Sequence, residues 1–322
     1  MNERETINIL CATDDNYAPY CGIMLTSLFE NNKDCHFVVY VLVDGSLSNK
    51  NKRKYAELEK KYDCQVRLEK VEEEVFRCCP IHKTSHAISL PTYYRLLASQ
   101  ILPEDIKKVI YLDCDLIVNE NIRQFWNIDI KNVALAAVKE CLHHFMDDTY
   151  QRLQYPKSDG YFNAGVLLLN LDYWREHQVV SRLFAFFDTA SSEQLQMMDQ
   201  DVMNSVLHNE KLLVKESYNY QTEFLMRSYC ANYPSDFLET VIKESKNAAI
   251  IHYCGRLKPW DFRYHGGAYY TQWEYYRKKS LWKHCRVRKP LTKYVKSLTK
   301  RYFFPSLQKK ILNSTWFYLP EK

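Results

Sequence analysis

Over its first 280 residues the chain alternates short apolar runs with longer stretches in which apolar residues recur every three or four positions. This is the pattern of strands interleaved with amphipathic helices, and it predicts an α/β sandwich built on a mostly parallel sheet. Runs at 7–12, 37–43 and 64–70 read as strands, the third at a sheet edge. Helical periodicity covers 19–30 and a polar stretch at 46–61. A further helix, carrying Tyr93, Tyr94, Leu96 and Leu97, precedes a β-branched and aromatic run at 108–112 that stops abruptly at Asp113 and reads as a central strand. Strands are expected again at 133–138, 165–169 and 248–252, and a helix at 201–208.

After about residue 280 the pattern changes. Residues 281–322 hold 11 Lys or Arg against the single acid Glu321, so this stretch carries +10 of a net +5 and leaves −5 for the rest. The expected organisation is one folded domain over 1–280 and a basic helical extension over 281–322. The extension interleaves its cations with Trp282, Tyr294, Tyr302, Phe303, Phe304, Trp316, Phe317 and Tyr318. Each cation near an anionic lipid surface contributes about 1 kcal/mol and aromatics settle at the interface, so peripheral attachment to an anionic membrane surface is expected. A solvated helical extension is the plainer alternative. A nucleic-acid patch is a third, but it leaves the first 280 residues without a purpose, and no nucleic acid is expected as a partner.

At 322 residues and 46% hydrophobic the chain is long enough to close one large core, and its 25 tyrosines leave aromatics for ligands or interfaces. Its 11 cysteines are odd in number and form no C-x-x-C pair, which argues against a disulfide framework or a zinc ribbon and for reduced thiols. Cys78, Cys79, His82 and His86 superficially suggest zinc, but adjacent cysteines rarely chelate one ion and loop packing is the better reading. The opening residues resemble neither a signal peptide nor an anchor, and a cytoplasmic location is expected.

Three sets of residues carry chemistry. In VIYLDCDLIV, Asp113 and Asp115 leave a strand end on one face with Cys114 on the other, where two carboxylates can hold a divalent ion. A solvated turn is the alternative. The same spacing recurs at Asp199 and Asp201, but there it opens a helical pattern, so Asp199 reads as an N-terminal cap. In IIHYCGRLKPW, His252 leaves a buried strand, Gly255 permits close backbone approach and Lys258 follows as a point charge. An imidazole beside two carboxylates favours Mn²⁺ over Mg²⁺, although His252 taken alone is more simply a core histidine. In CATDDNYAPY, Asp14 and Asn16 sit at the first β-to-α turn and either meet a nucleotide or cap the next helix. No Gly-rich phosphate loop is present, which argues against a Walker ATPase or an NAD site.

The ordered set ATDDNY, YLDCD, YFNAGVLLLNL, DQD and HYCGRLKPW, over roughly 6–265, resembles glycosyltransferase family 8, which includes bacterial lipooligosaccharide and lipopolysaccharide α-galactosyltransferases and, more distantly, glycogenin. The resemblance implies a GT-A type, single Rossmann-like domain and a retaining hexosyltransferase that uses a UDP-sugar, either UDP-galactose or UDP-glucose. The acceptor would be an oligosaccharide or lipid-linked glycan of the cell envelope. It implies that Asp113, Asp115 and His252 hold Mn²⁺, with Mg²⁺ as a substitute. Ala12, Asp14, Asn16, Arg95, Asp113, Cys114, Asp115, Asn163, Gly255 and Lys258 would meet the donor. Asp199 and Gln200 would act at the transferred sugar, and Glu140 would meet the acceptor, where the galactosyltransferase pattern has a shorter Asp. Because an amide is a poor nucleophile, Gln200 points to front-face attack, with the acceptor hydroxyl entering beside the departing phosphate. The alternative within the same fold is a non-catalytic UDP-sugar sensor.

Overall fold

Strands β1 (Glu5–Thr13), β2 (Cys35–Val43), β3 (Gln65–Lys70), β4 (Lys108–Leu112), β5 (Leu116–Val118), β6 (Leu135–Lys139), β7 (Phe162–Asn170), β8 (Lys211–Val214), β9 (Tyr220–Gln221) and β10 (Ile250–His252) make two sheets. The structure, a computed structural model, describes residues 4–80, 90–141, 147–191, 193–226, 230–255, 257–261, 264 and 267–285. The larger sheet runs β3-β2-β1-β4-β7-β6-β8. Only β7 opposes its neighbours, so the mostly parallel sheet expected from the apolar runs is present, with β3 at an edge.

Alternate strand residues pack two different layers, as a pleated strand requires. Ile7, Ile9, Val39, Val41, Ile110 and Leu112 face helices α1 (Ala18–Asn31) and α2 (Asn49–Tyr62) through Met24, Leu25, Leu28 and Leu58. Leu10, Tyr40, Leu42, Val109 and Tyr111 face Tyr93, Tyr94, Leu96, Trp174 and Leu183 on the opposite side. The α2 start follows from Ser48, whose hydroxyl accepts the Asn51 N–H.

The segment carrying Tyr93 and Tyr94 is a 3-10 helix, Leu90–Leu97, continued by a short α-helix, Ala98–Ile101, and not the single α-helix expected. Residues 93–97 are all buried, on every side, which a helix with one apolar stripe does not satisfy. The smaller sheet, β5-β10-β9, was legible only in β10; β5 and β9 have three and two residues and are held by pairing with β10.

Trp282, expected in the extension, is a core residue. It is 3% exposed, its indole N–H donates to Asn51 Oδ1 at 2.8 Å, and it fills a slot that a Cβ at Gly22 would close. The packed body therefore continues past 280, with Leu281 and Cys285 against the same core. The remaining aromatics of the extension, and residues His82 and His86, lie outside the described residues. All eleven cysteines are free thiols.

Candidate active site

Strands β1, β4 and β10 end at one edge of the two sheets, and the residues that follow them converge. β4 ends at Leu112, so Asp113 emerges at the carboxyl end of a central parallel strand, where wound sheets open a crevice. Antiparallel pairing of β10 with β5 sets His252 opposite Leu116, directly after Asp115.

The His252 Nε2 lies 3.3 Å from Asp115 Oδ1 and 3.9 Å from Asp113 Oδ2. One ligand atom from each of the three residues falls within 4.8 Å of the others. Two carboxylate oxygens and one imidazole nitrogen make a donor set suited to Mn²⁺ or Mg²⁺, so the residues fit the expected ion. Room for it depends on Gly165, because a Cβ there would stand 2.3 Å from His252 Cε1 and 2.8 Å from Asp113 Oδ2. His252 does make the hydrogen bond of a core histidine, through Nδ1 to Asn219 Oδ1 at 2.9 Å, yet its other nitrogen faces the carboxylates.

Asp115 is not a solvated turn residue. Lys258 Nζ is 2.5 Å from Asp115 Oδ2 and 2.9 Å from the Tyr253 carbonyl. Burial alone would raise the Asp115 pKa, but Lys258 and His252 hold it well below the usual carboxylate range. Lys258 is raised in turn, because Asp115 outweighs the burial that would lower it. Lys258 thus lies against the Asp115 carboxylate, and Trp260, two residues on, stacks on Tyr20 with ring centroids 3.6 Å apart. Gly255, at φ +77°, sits where any side chain would strike Glu223.

Arg95 joins Asp113 to Asp199. Its guanidinium lies 2.9 Å from Asp113 Oδ1 and 3.1 Å from Asp199 Oδ2, over the Tyr111 ring, and it donates to the Ala164 carbonyl. Asp199 is the first residue of the helix Asp199–Leu207 but does not cap it: Thr92 Oγ1 donates to its carboxylate at 2.8 Å. Met198 before it adopts φ +50°, which turns Asp199 inward. Burial raises Asp199 to about 6, although Arg95 and Thr92 pull the other way. Asp201, two residues on, is the structural member of DQD: fully buried, it accepts from Arg152, Tyr161 and the Met197 N–H.

Glu140, expected at the acceptor, is 5% exposed, and its Oε2 accepts from Asn163 Nδ2 at 2.9 Å and Gln200 Nε2 at 3.0 Å. A register shift at the end of β6 turns it there. Gln200 Oε1 accepts the Ala164 N–H at 2.9 Å, and Asn163 Oδ1 accepts from Asn219 Nδ2 at 2.9 Å. One continuous polar chain therefore runs Gln200, Glu140, Asn163, Asn219, His252, Asp115, Lys258. The sequence reading missed Asn219; a polar residue before a two-residue strand offers no periodic signal.

At the first turn, the Asp14 carboxylate accepts the Tyr17 N–H at 2.8 Å, just ahead of α1, which has no side-chain cap of its own, while Asn16 is exposed. The neighbouring Asp15, also missed, accepts from Ser48 N–H and Asn51 Nδ2 and ties this turn to α2. Ala12 is buried, its carbonyl accepts the Cys114 thiol at 3.2 Å, and Cys114 packs into the core on the α1 side of the sheet.

A family model described as glycosyl transferase family 8 matches residues 8–263. The chain is 28% identical over 265 residues to General stress protein A of Bacillus subtilis, covering 81% of this chain and 90% of that protein. It is 26% identical over 325 residues to a lipopolysaccharide 1,2-glucosyltransferase of Escherichia coli, covering 98% and 90%. Among solved structures, the galactosyltransferase LgtC in complex with donor and acceptor sugar analogues aligns with a TM-score of 0.76 at 24% identity, over 89% of this chain and 98% of that one, a likeness of fold.

Proposed function

The chain belongs to glycosyltransferase family 8, and from that premise we propose that it moves a hexose, galactose or glucose, from a UDP-sugar to a saccharide acceptor with retention of the anomeric configuration. The acceptor is a lipopolysaccharide or another cell-envelope glycan, a reading supported by the relative named as a lipopolysaccharide glucosyltransferase. The observation that carries the proposal is the convergence of Asp113, Asp115 and His252 ligand atoms within 4.8 Å at the mouth of the parallel sheet.

Asp113, Asp115 and His252 would hold Mn²⁺ or Mg²⁺, which as a Lewis acid offsets the negative charge of a departing diphosphate. Lys258 would add a protein cation to the same chemistry, its Nζ, held against Asp115, meeting phosphate oxygens of the donor while water is excluded. Arg95 keeps Asp113 and Asp199 apart and oriented. Asp14, Asn16, Ala12 and Cys114 line the turn proposed for the uridine, and Asn163 and Gly255 complete the donor side.

In the proposed reaction the acceptor oxygen bonds to the anomeric carbon on the face from which the glycosyl phosphate bond breaks, and the hydroxyl proton passes to the departing phosphate oxygen. Gln200 is held for this step by two bonds, to Ala164 N–H and Glu140. An amide oxygen has two lone pairs, so one stays available to the positive charge that develops on the sugar. Asp199 orients the sugar hydroxyls. Glu140 acts by holding Gln200 and Asn163.

Residues 286–322 would attach to an anionic membrane surface from the cytoplasmic side; no helix among the described residues is long and apolar enough to cross a membrane. Incubation with UDP-galactose or UDP-glucose, Mn²⁺ and a panel of envelope oligosaccharides tests the reading. An α-linked product and released UDP are expected. A β-linked product would refute retention, and UDP-sugar binding without turnover would favour the sensor.

A further inference from the structure

A second group of metal-ligating side chains lies outside the site just described: Cys141, Glu223 and Cys254, whose ligand atoms all fall within 4.8 Å of one another. The scaffold that assembles them is regular. β9 and β10 run parallel with Gln221 opposite His252, and the 3-10 turn Thr222–Leu225 that follows β9 sets Glu223 beside Cys254. Cys141 is fastened across them from the end of β6, by its N–H to Gln221 Oε1 at 2.8 Å and its carbonyl to Tyr233 at 3.2 Å. Both sulfurs sit 3.7 Å from Glu223 Oε2. Gly255 has no side chain to intrude, since a Cβ there would stand 2.0 Å from Glu223 Oε1. Cys141 is buried while Glu223 and Cys254 are partly exposed, so the cluster is closed on one side and open on the other.

We propose that Cys141, Glu223 and Cys254 form a binding site for a thiophilic divalent cation of the zinc type, chemically distinct from the oxygen-rich Asp113, Asp115 and His252 set. Two sulfurs and one carboxylate oxygen are three of the four ligands such an ion takes, and they discriminate against Mn²⁺ and Mg²⁺, which prefer oxygen. Glu140 Oε1 accepts the Cys141 thiol at 3.0 Å, so a further carboxylate borders the group. On binding, the two thiol protons pass to solvent and two metal–sulfur bonds form. The ion ties Cys254, at the root of the loop that carries Lys258, to the end of β6.

Cobalt(II) reports thiolate ligation by a sulfur-to-metal charge-transfer band. Full-length protein, reduced and freed of metal by chelation, is titrated with Co²⁺ in the presence of saturating Mn²⁺, which fills the oxygen-rich set. One equivalent of Co²⁺ giving a charge-transfer band that zinc abolishes is the expected result. The band disappears in Cys254→Ser, its half-saturation rises roughly tenfold or more in Glu223→Gln, and it persists in Cys78→Ser and in His252→Ala. Circular dichroism establishes that each variant is folded, and Cys254→Ser, at a partly exposed position, is the variant least exposed to misfolding. No charge-transfer band, or a band that survives in folded Cys254→Ser and Glu223→Gln, overturns the proposal; because no sugar nucleotide is present, neither result bears on glycosyl transfer.

Discussion

His252 Nδ1 lies 2.9 Å from Asn219 Oδ1, and that contact aims the other ring nitrogen, Nε2, at Asp115 Oδ1, 3.3 Å away. Asn219 therefore orients the ring so that Nε2 faces the two carboxylates. In Asn219→Ala the Mn²⁺ dissociation constant rises roughly 10- to 100-fold while the fold, followed by circular dichroism, persists. Titration calorimetry measures the shift; an unchanged constant would remove Asn219 from the site.

Gly165→Ala is expected to damage the same site sterically. The new methyl would stand 2.3 Å from His252 Cε1, and the strain costs about 1–3 kcal/mol. Denaturant unfolding reads the stability loss and calorimetry the accompanying loss of Mn²⁺ affinity. A variant as stable and as tight as wild type contradicts the packing described.

Asp199 and Asp115 give opposite pH signatures. Asp199 is raised by burial to about 6, so the native state holds its proton more tightly than the unfolded chain. Its contribution to stability is full below the ordinary carboxylate range and falls by about 3 kcal/mol as pH rises to about 7. Asp115, held low by Lys258 and His252 against its burial, contributes above that range and loses the contribution as pH falls. Urea unfolding between about pH 4 and 7, the window of the Asp199 change alone, should show wild type losing stability relative to Asp199→Asn as pH rises. A constant difference would refute the assignment.

Glu140→Gln tests the polar chain. The substituted amide must face two donors, Asn163 Nδ2 and Gln200 Nε2, with an N–H₂ group or give up the Cys141 thiol. Losing charge-assisted bonds of this kind lowers kcat by roughly 10- to 100-fold, with KM for the donor little changed. A rise confined to the acceptor KM would instead support direct acceptor contact.

Lys258→Ala removes the cation on Asp115 that is proposed to meet the diphosphate. UDP affinity should fall roughly tenfold, measured by calorimetry with Mn²⁺ present, and equal affinity would discard the role.

Much of this was legible along the chain, and the reasons differ by residue. Asp113 and Asp115 were legible because an apolar strand ends at Leu112, and His252 because a buried strand ends on it. Asn219, Glu223 and β9 were not, since a two-residue strand has no period and is held by its partner β10. Cys141 and Cys254 are distant in sequence and meet through tertiary contacts, at the Glu223 carboxylate and through the Gln221 side chain. Trp282 was misplaced because its basic neighbours imitate an interfacial segment; the slot over Gly22 that receives it is a tertiary feature. Asp199 imitated a cap because caps and buried acids at a first turn share one sequence pattern, and only Arg95 and Thr92 separate them.

The central claim, one cation shared by Asp113, Asp115, His252 and a nucleotide diphosphate, is tested most directly by titrating Mn²⁺ with and without UDP and following free Mn²⁺ by electron paramagnetic resonance. A single Mn²⁺ per chain is expected, bound more tightly when UDP is present, with that tightening lost in both Asp115→Asn and His252→Ala. Mn²⁺ and UDP binding to His252→Ala as strongly as to wild type would contradict it.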